Sequence, residues 1–172
     1  NNTKNSKMSL AVSKEVVEKI VSQYYKEKNN ENIYLQISSW CTVKGYHGFA
    51  KFFKEQSKEE ALHAEKFYDY LVERRLQLLT PKNFKYEIIS VTSVEDALQK
   101  SLQKEKETSK SILEIYDLAE DKKDRYTCQF LDWFISEQVE EENQFTDLIN
   151  QLKNMKSDSS LMYMDKHIGK EK

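Results

Sequence analysis

The stretch Glu59-Glu60-Ala61-Leu62-His63 holds the residue types in this chain best suited to chemistry. On a helix, positions three apart share a face, so Glu60 and His63 set a carboxylate beside an imidazole. That is a ready pair of metal ligands. The apolar stripe around them runs Phe49, Phe53, Gln56, Glu60, His63, Phe67 and Tyr70, so both fall where the core should be. A buried charge costs several kcal/mol unless it is paired or coordinates a metal.

Three more helical stripes carry an acid in the same way. The first runs Val17, Ile20, Tyr24, Glu27, Glu31, Tyr34, Ser38 and Cys41. A second runs Val94, Leu98, Leu102, Glu105, Ser109, Ile112, Tyr116 and Ala119. The last runs Thr127, Phe130, Phe134, Gln138, Glu141, Phe145, Leu148 and Leu152. Steps of three and four mark the seams of bundle helices. Each seam holds its acid near mid-length: Glu27, Glu60 with His63, Glu105, and Glu141 with Gln138. No Lys or Arg occupies these seams at those levels, so an internal salt-bridge network does not replace a metal. Carboxylates with one imidazole favour iron or manganese over copper or zinc.

The elements that must position these groups are long helices. The 172 residues fit one domain and include only 3 Gly and 1 Pro, the residues that punctuate turns. The first helix is expected from Ser13, an N-cap, to about Val43, with a stop at Gly45. The second spans about His47 to Arg75. The third opens with a capping box at Thr92-x-x-Glu95. The fourth follows the polar turn Glu120–Asp124 and runs to about Asn154. A short fifth helix is expected over Ser160 to Ile168.

The link between the second and third helices sets the topology. Residues 80–92 are thirteen in number and reach roughly 44 Å when extended. A helix of about 29 residues is roughly 43 Å long. The link can therefore run the length of a bundle, whereas the other two links are short. Short, long, short defines an all-α four-helix bundle of the ferritin-like kind with one long crossover. The domain reading is a 1–12 extension (Met8 a candidate start), a 13–155 bundle, and 156–172 as linker, fifth helix and tail.

Charged residues make up 33% of the chain but nearly cancel, at a net charge of -2, so no basic face for nucleic acid is implied. No apolar run approaches a membrane-spanning length. Cys41 and Cys128 stand far apart with no metal-binding or redox spacing, and read as reduced, small hydrophobes. A cytoplasmic location is expected, with an organelle left open.

The chain resembles bacterial-type non-haem ferritins from about Ser13 to Ile168. The resemblance rests on Tyr34 with Ser38-Ser39-Trp40-Cys41, Gly48-Phe49-Ala50-Lys51-Phe52-Phe53, Glu59-Glu60-Ala61-Leu62-His63, and Phe67-Tyr68-Asp69-Tyr70-Leu71. It rests above all on Phe130 to Glu142, with Met162-Tyr163-Met164-Asp165-Lys166 near the end. The resemblance implies two irons: Glu27, Glu60 and His63 hold the first, with Glu60 bridging, and Glu105, Gln138 and Glu141 complete the second. Glu59, Glu137 and Glu140 match a third iron position that shares Glu141. Tyr34 and Trp133 match aromatic residues that can each yield an electron. The implied activity is a ferroxidase that oxidises Fe(II) with dioxygen or hydrogen peroxide and stores a ferric oxyhydroxide mineral in a shell of twenty-four subunits, without haem. The alternatives are another di-iron carboxylate oxidase or peroxidase, or a non-catalytic shell subunit.

The chain departs from the di-iron bundle frame at one place, where Gln138-x-x-Glu141 replaces the second Glu-x-x-His. A weaker second site is expected from that change. Glu31 either leans to the helix edge or adds a metal contact. Asn29-Asn30 weakens the first helix locally. Asp121, Asp124 and Asp132 are candidates to line an entry channel. His47 and His167 read as surface residues.

Overall fold

A computed structural model describes residues 12–155, 157–168 and 170. Of the expected N-terminal extension only Val12 falls within these; Met8 and Lys156 lie outside the described residues. The helices are α1 (Lys14–Val43), α2 (His47–Glu73), α3 (Val94–Asp121), α4 (Arg125–Asn154) and α5 (Asp158–Ile168). No strand occurs among the described residues.

Side-chain contacts give the helix directions. Along α1 and α2, Tyr34 stacks on Phe53 while Glu27 faces His63, so the two run antiparallel. Tyr34 meets Glu105 and Asn30 meets Thr108, so α3 is also antiparallel to α1. On α4, Phe145 meets Phe53 and Phe134 meets Phe67, so α4 opposes α2. Therefore α2 and α3 run the same way, and the chain between Glu73 and Val94 must return along the full bundle. The expected crossover topology is the observed one.

That crossover is extended and tied to α1 by side chains. The Glu87 amide donates to Asn29 Oδ1 at 2.8 Å, and Gln36 brackets the Glu87 carbonyl and the Ile89 amide. Asn29 thus offsets its poor helix propensity by holding the crossover, and Asn30 does so by donating to Thr108 Oγ1 at 2.9 Å. The start of α3 differs by one residue from the expected capping box. Ser93, not Thr92, is the N-cap and accepts from the Asp96 amide, while Asp96 Oδ2 accepts from the Thr92 amide. The aspartate is short enough to close this shifted box.

Helix ends follow one scheme. Gly45 has φ 85, and the Tyr46 amide closes on the Cys41 carbonyl at 2.8 Å. Arg75 (φ 60) and Lys123 (φ 56) take the same left-handed position at the ends of α2 and α3. An L-residue there costs about 1–2 kcal/mol. The first turn of α2 has no side-chain cap of its own. Instead Asp165 of α5 accepts from the Phe49 amide at 2.9 Å. A Cβ on Gly48 would lie 1.6 Å from the Asp165 carbonyl oxygen, so only glycine admits α5 this close.

Two apolar clusters fill the bundle. One gathers Ile33, Tyr34, Phe49, Phe53, Leu98 and Phe145 with Met164 and Ile168 of α5. The other gathers Val16, Ile20, Phe67, Leu71, Ile112, Leu131 and Phe134. Each fully buried large side chain contributes roughly 1.5–3 kcal/mol. Between the clusters lies a belt of buried polar residues that contains the acids of all four seams.

Candidate metal centre

The belt is dry and acidic. Glu27 and Glu105 are 0% exposed, Glu60 1%, and Glu141 4%, with His63 and Gln138 at 3%. Among the described residues, no lysine or arginine pairs with these four acids. His63 Nδ1 lies 3.4 Å from Glu60 Oε2 and 3.8 Å from Glu27 Oε2. Those same three atoms, Glu27 Oε2, Glu60 Oε2 and His63 Nδ1, are buried without a hydrogen-bond partner. Leaving buried polar atoms unpaired is costly, so the convergence of three makes a candidate cation site. Ligand atoms of Glu27, Glu60 and His63 all fall within 4.8 Å of one another.

The other half of the belt is already bonded. Tyr34 donates to Glu105 Oε1 at 2.5 Å, and Gln138 Nε2 donates to Glu105 Oε2 at 3.1 Å. Gln56 Nε2 donates to Glu141 Oε2 at 2.9 Å. A second group of ligand atoms within 4.8 Å joins Glu59, Glu137 and Glu141. Glu140 is exposed and lies outside that group. The Trp133 ring is half-exposed, edge-on to His63 at 5.5 Å, with Lys66 Nζ 4.1 Å over its face.

Proton affinities follow from burial and crowding. Burial and the nearby charges of Glu105 and Glu27 push Glu60 well above the usual carboxylate range. Burial acts on Glu27 too, but the proximity of Glu60 and His63 and the hydrogen bond from Gln23 outweigh it and hold Glu27 low. The pair therefore keeps a proton on Glu60 and a charge on Glu27. Burial opposes a charged His63, but Glu27, Glu141 and Glu137 outweigh it and raise its pKa. Glu105 is raised by burial despite its bonds to Tyr34 and Gln138. Glu141 is pushed up to about 8 by burial and by Glu105. Cations would replace the protons that make this crowd tolerable.

Sequence reasoning missed the supports behind the acids. Gln23 Nε2 donates to Glu27 Oε1 at 3.1 Å. Ser111 donates to Gln23 Oε1, the side-chain amide oxygen, and Lys26 Nζ donates to Ser111 Oγ at 2.9 Å. For Gln23 the signal was present, since it precedes Glu27 by four residues, one helical turn.

Other expected positions resolve plainly. Glu31 pairs with Lys28 at 2.6 Å on the helix edge. Asp124 caps α4, accepting from the Thr127 amide and hydroxyl, and lies 3.6 Å from Arg74. Asp121 and Asp132 are exposed. His47 is exposed, and His167 Nδ1 donates to the Tyr163 carbonyl at 2.8 Å. Cys41 and Cys128 are free thiols. No described helix is long and apolar enough to cross a membrane.

A one-crossover bundle with a carboxylate-histidine belt defines a class of metal-handling four-helix proteins. Comparison with known proteins is specific: residues 17–155 match the ferritin-like domain family, and the chain belongs to it. The bacterial non-heme ferritin of Staphylococcus aureus (strain USA300) is 32% identical over 164 residues, covering 92% of this chain and 95% of that protein. The one from Staphylococcus epidermidis is 31% identical over 153 residues, covering 89% and 92%. Among solved structures, an open pore ferritin from the archaeon Archaeoglobus fulgidus superposes with a TM-score of 0.88 at 29% identity, covering 94% of this chain and 98% of that one.

Proposed function

We propose that this chain is an iron-storage ferritin subunit with ferroxidase activity. The observation that carries the reading is the convergence of three unpaired buried ligand atoms, from Glu27, Glu60 and His63, in a belt of four buried acids. In this reading Glu27, Glu60 and His63 bind one ferrous ion, and Glu105, Gln138 and Glu141 bind a second, with Glu60 between them. Iron is substrate and leaves after oxidation. Two ferrous ions give up one electron each, and dioxygen takes the pair with two protons and departs as hydrogen peroxide. Hydrogen peroxide can serve as oxidant instead, taking two electrons and two protons and leaving as two waters. Ferric hydrolysis then releases protons and deposits oxyhydroxide.

Glu59, Glu137 and Glu141 form the proposed third iron position, with the exposed Glu140 at its approach. Tyr34, hydrogen-bonded to Glu105, and Trp133, edge-on to His63, are placed to yield further electrons. Assembly into a hollow shell of twenty-four subunits, in the cytoplasm, belongs to the same proposal, with neither haem nor nucleic acid required.

An anaerobic Fe(II) titration followed by air, read by ultraviolet absorption alongside native mass, tests this reading. Fast oxidation is expected in the parent protein and its loss in Glu60→Ala, with the assembled mass unchanged. Unaltered oxidation kinetics in that variant would remove the centre from these residues.

A further inference from the structure

The groove between α3 and α4 holds a small cleft of about 120 Å³, walled by Ile112, Leu113, Ile135 and Val139. Gln138 forms its inner end. The same Gln138 amide donates to Glu105 Oε2 at 3.1 Å, so one side chain separates the cleft from the acid belt. It also donates to the Glu105 carbonyl at 3.1 Å and to Ser109 Oγ at 3.2 Å, and Ser109 in turn donates to Glu142 Oε2 at 2.7 Å. The polar end of the cleft is thereby occupied by its own hydrogen bonds. Apart from Glu142 at the rim, what remains open to a visitor is aliphatic.

We propose that this cleft is a docking site for dioxygen on its way to the centre; the inference rests on the ferroxidase reading above. Dioxygen carries no charge and gains by leaving water for an apolar wall. A ferrous ion would lose its hydration there with nothing in return. The cation has its own approach in the other groove of α4, where Glu59 of α2 meets Glu137 and Glu141. The two reactants would thus reach one centre from two chemically opposite grooves. The size is appropriate, since dry apolar cavities of roughly 150 Å³ bind xenon.

Two measurements test the proposal. Crystals pressurised with xenon should show the atom between Ile112, Ile135 and Val139. Val139 is 58% exposed, so Val139→Trp can fill the cleft mouth without entering the core. That variant should raise the KM for dioxygen about five-fold or more, with kcat at saturating dioxygen and anaerobic Fe(II) binding unchanged. A cleft free of xenon, or an unchanged KM in Val139→Trp, overturns the inference and leaves the ferroxidase reading standing. Failure of the parent protein to bind or oxidise Fe(II) overturns the ferroxidase reading itself, and the inference with it.

Discussion

The two halves of the acid belt differ in how much they already hold. Around Glu27, Glu60 and His63, three buried ligand atoms lack any hydrogen bond. Around Glu105 and Glu141, the carboxylate oxygens are engaged by Tyr34, Gln138 and Gln56. An ion entering the first half forms bonds without breaking any. One entering the second half must displace protein hydrogen bonds, each worth roughly 0.5–1.5 kcal/mol and more where the acceptor is charged. The same number of oxygens therefore makes an open socket in one half and a self-satisfied one in the other. That difference fits an ion held more tightly in the first half and one that leaves more readily from the second.

The largest expected effect comes from removing the one proposed ligand of each half that is not a carboxylate. An imidazole binds iron well and an amide oxygen weakly. His63→Ala should slow initial oxidation about a hundred-fold, and Gln138→Ala about ten-fold. Equal losses in stopped-flow traces would erase the distinction between the halves.

A smaller effect is expected from pH. Glu141 rises from 4.5 to about 8 in the folded chain, so the folded state binds more protons than the unfolded state across that window. Its contribution to ion-free stability is complete at low pH and lost as pH climbs toward 8. Glu60 and Glu105 are raised too and act in the same direction. Glu27 is held low, so its contribution survives until the medium turns acid. Melting temperatures without metal should fall between pH 5.5 and 8, and less steeply in Glu141→Gln. Glu27→Gln removes a charge that helps to raise Glu60, Glu105 and His63, so it too should flatten that slope. A flat profile in the parent protein would contradict the raised protonation of the second half.

The smallest effect concerns the support behind the first half. Gln23 is one of several groups holding Glu27, so Gln23→Leu should weaken the first ion by about ten-fold, the low end of outer-partner effects. The second ion should be untouched. Anaerobic titration calorimetry separates the two, and a loss at the second ion alone would reverse the assignment.

The acids themselves were legible in the sequence because polar residues in an apolar seam break a strong rule. The crossover was legible because length alone forced it. What the sequence hid was the phase of α1. A strict three-four seam placed Val17, Tyr24 and Glu31 inward, whereas Val16, Gln23 and Asn30 are the buried residues. A straight helix drifts about 20° per heptad from such a seam. In addition, α1 meets both α2 and α3, which widens its buried face. The belt's amides and hydroxyls, Gln23, Asn30, Thr108 and Ser111, were hidden because each looks like ordinary surface polarity until its partner on another helix is known.

The contact of Gly48 with Asp165 has a consequence for how the molecule is made. The amide that begins α2 finds its acceptor 116 residues further along the chain. During synthesis, that first-turn amide has only water as its acceptor until Asp165 has emerged, however early the helix itself winds. The bundle's last stitch is thus sewn by its smallest helix, and completion of the protomer reports that the C-terminal segment has arrived.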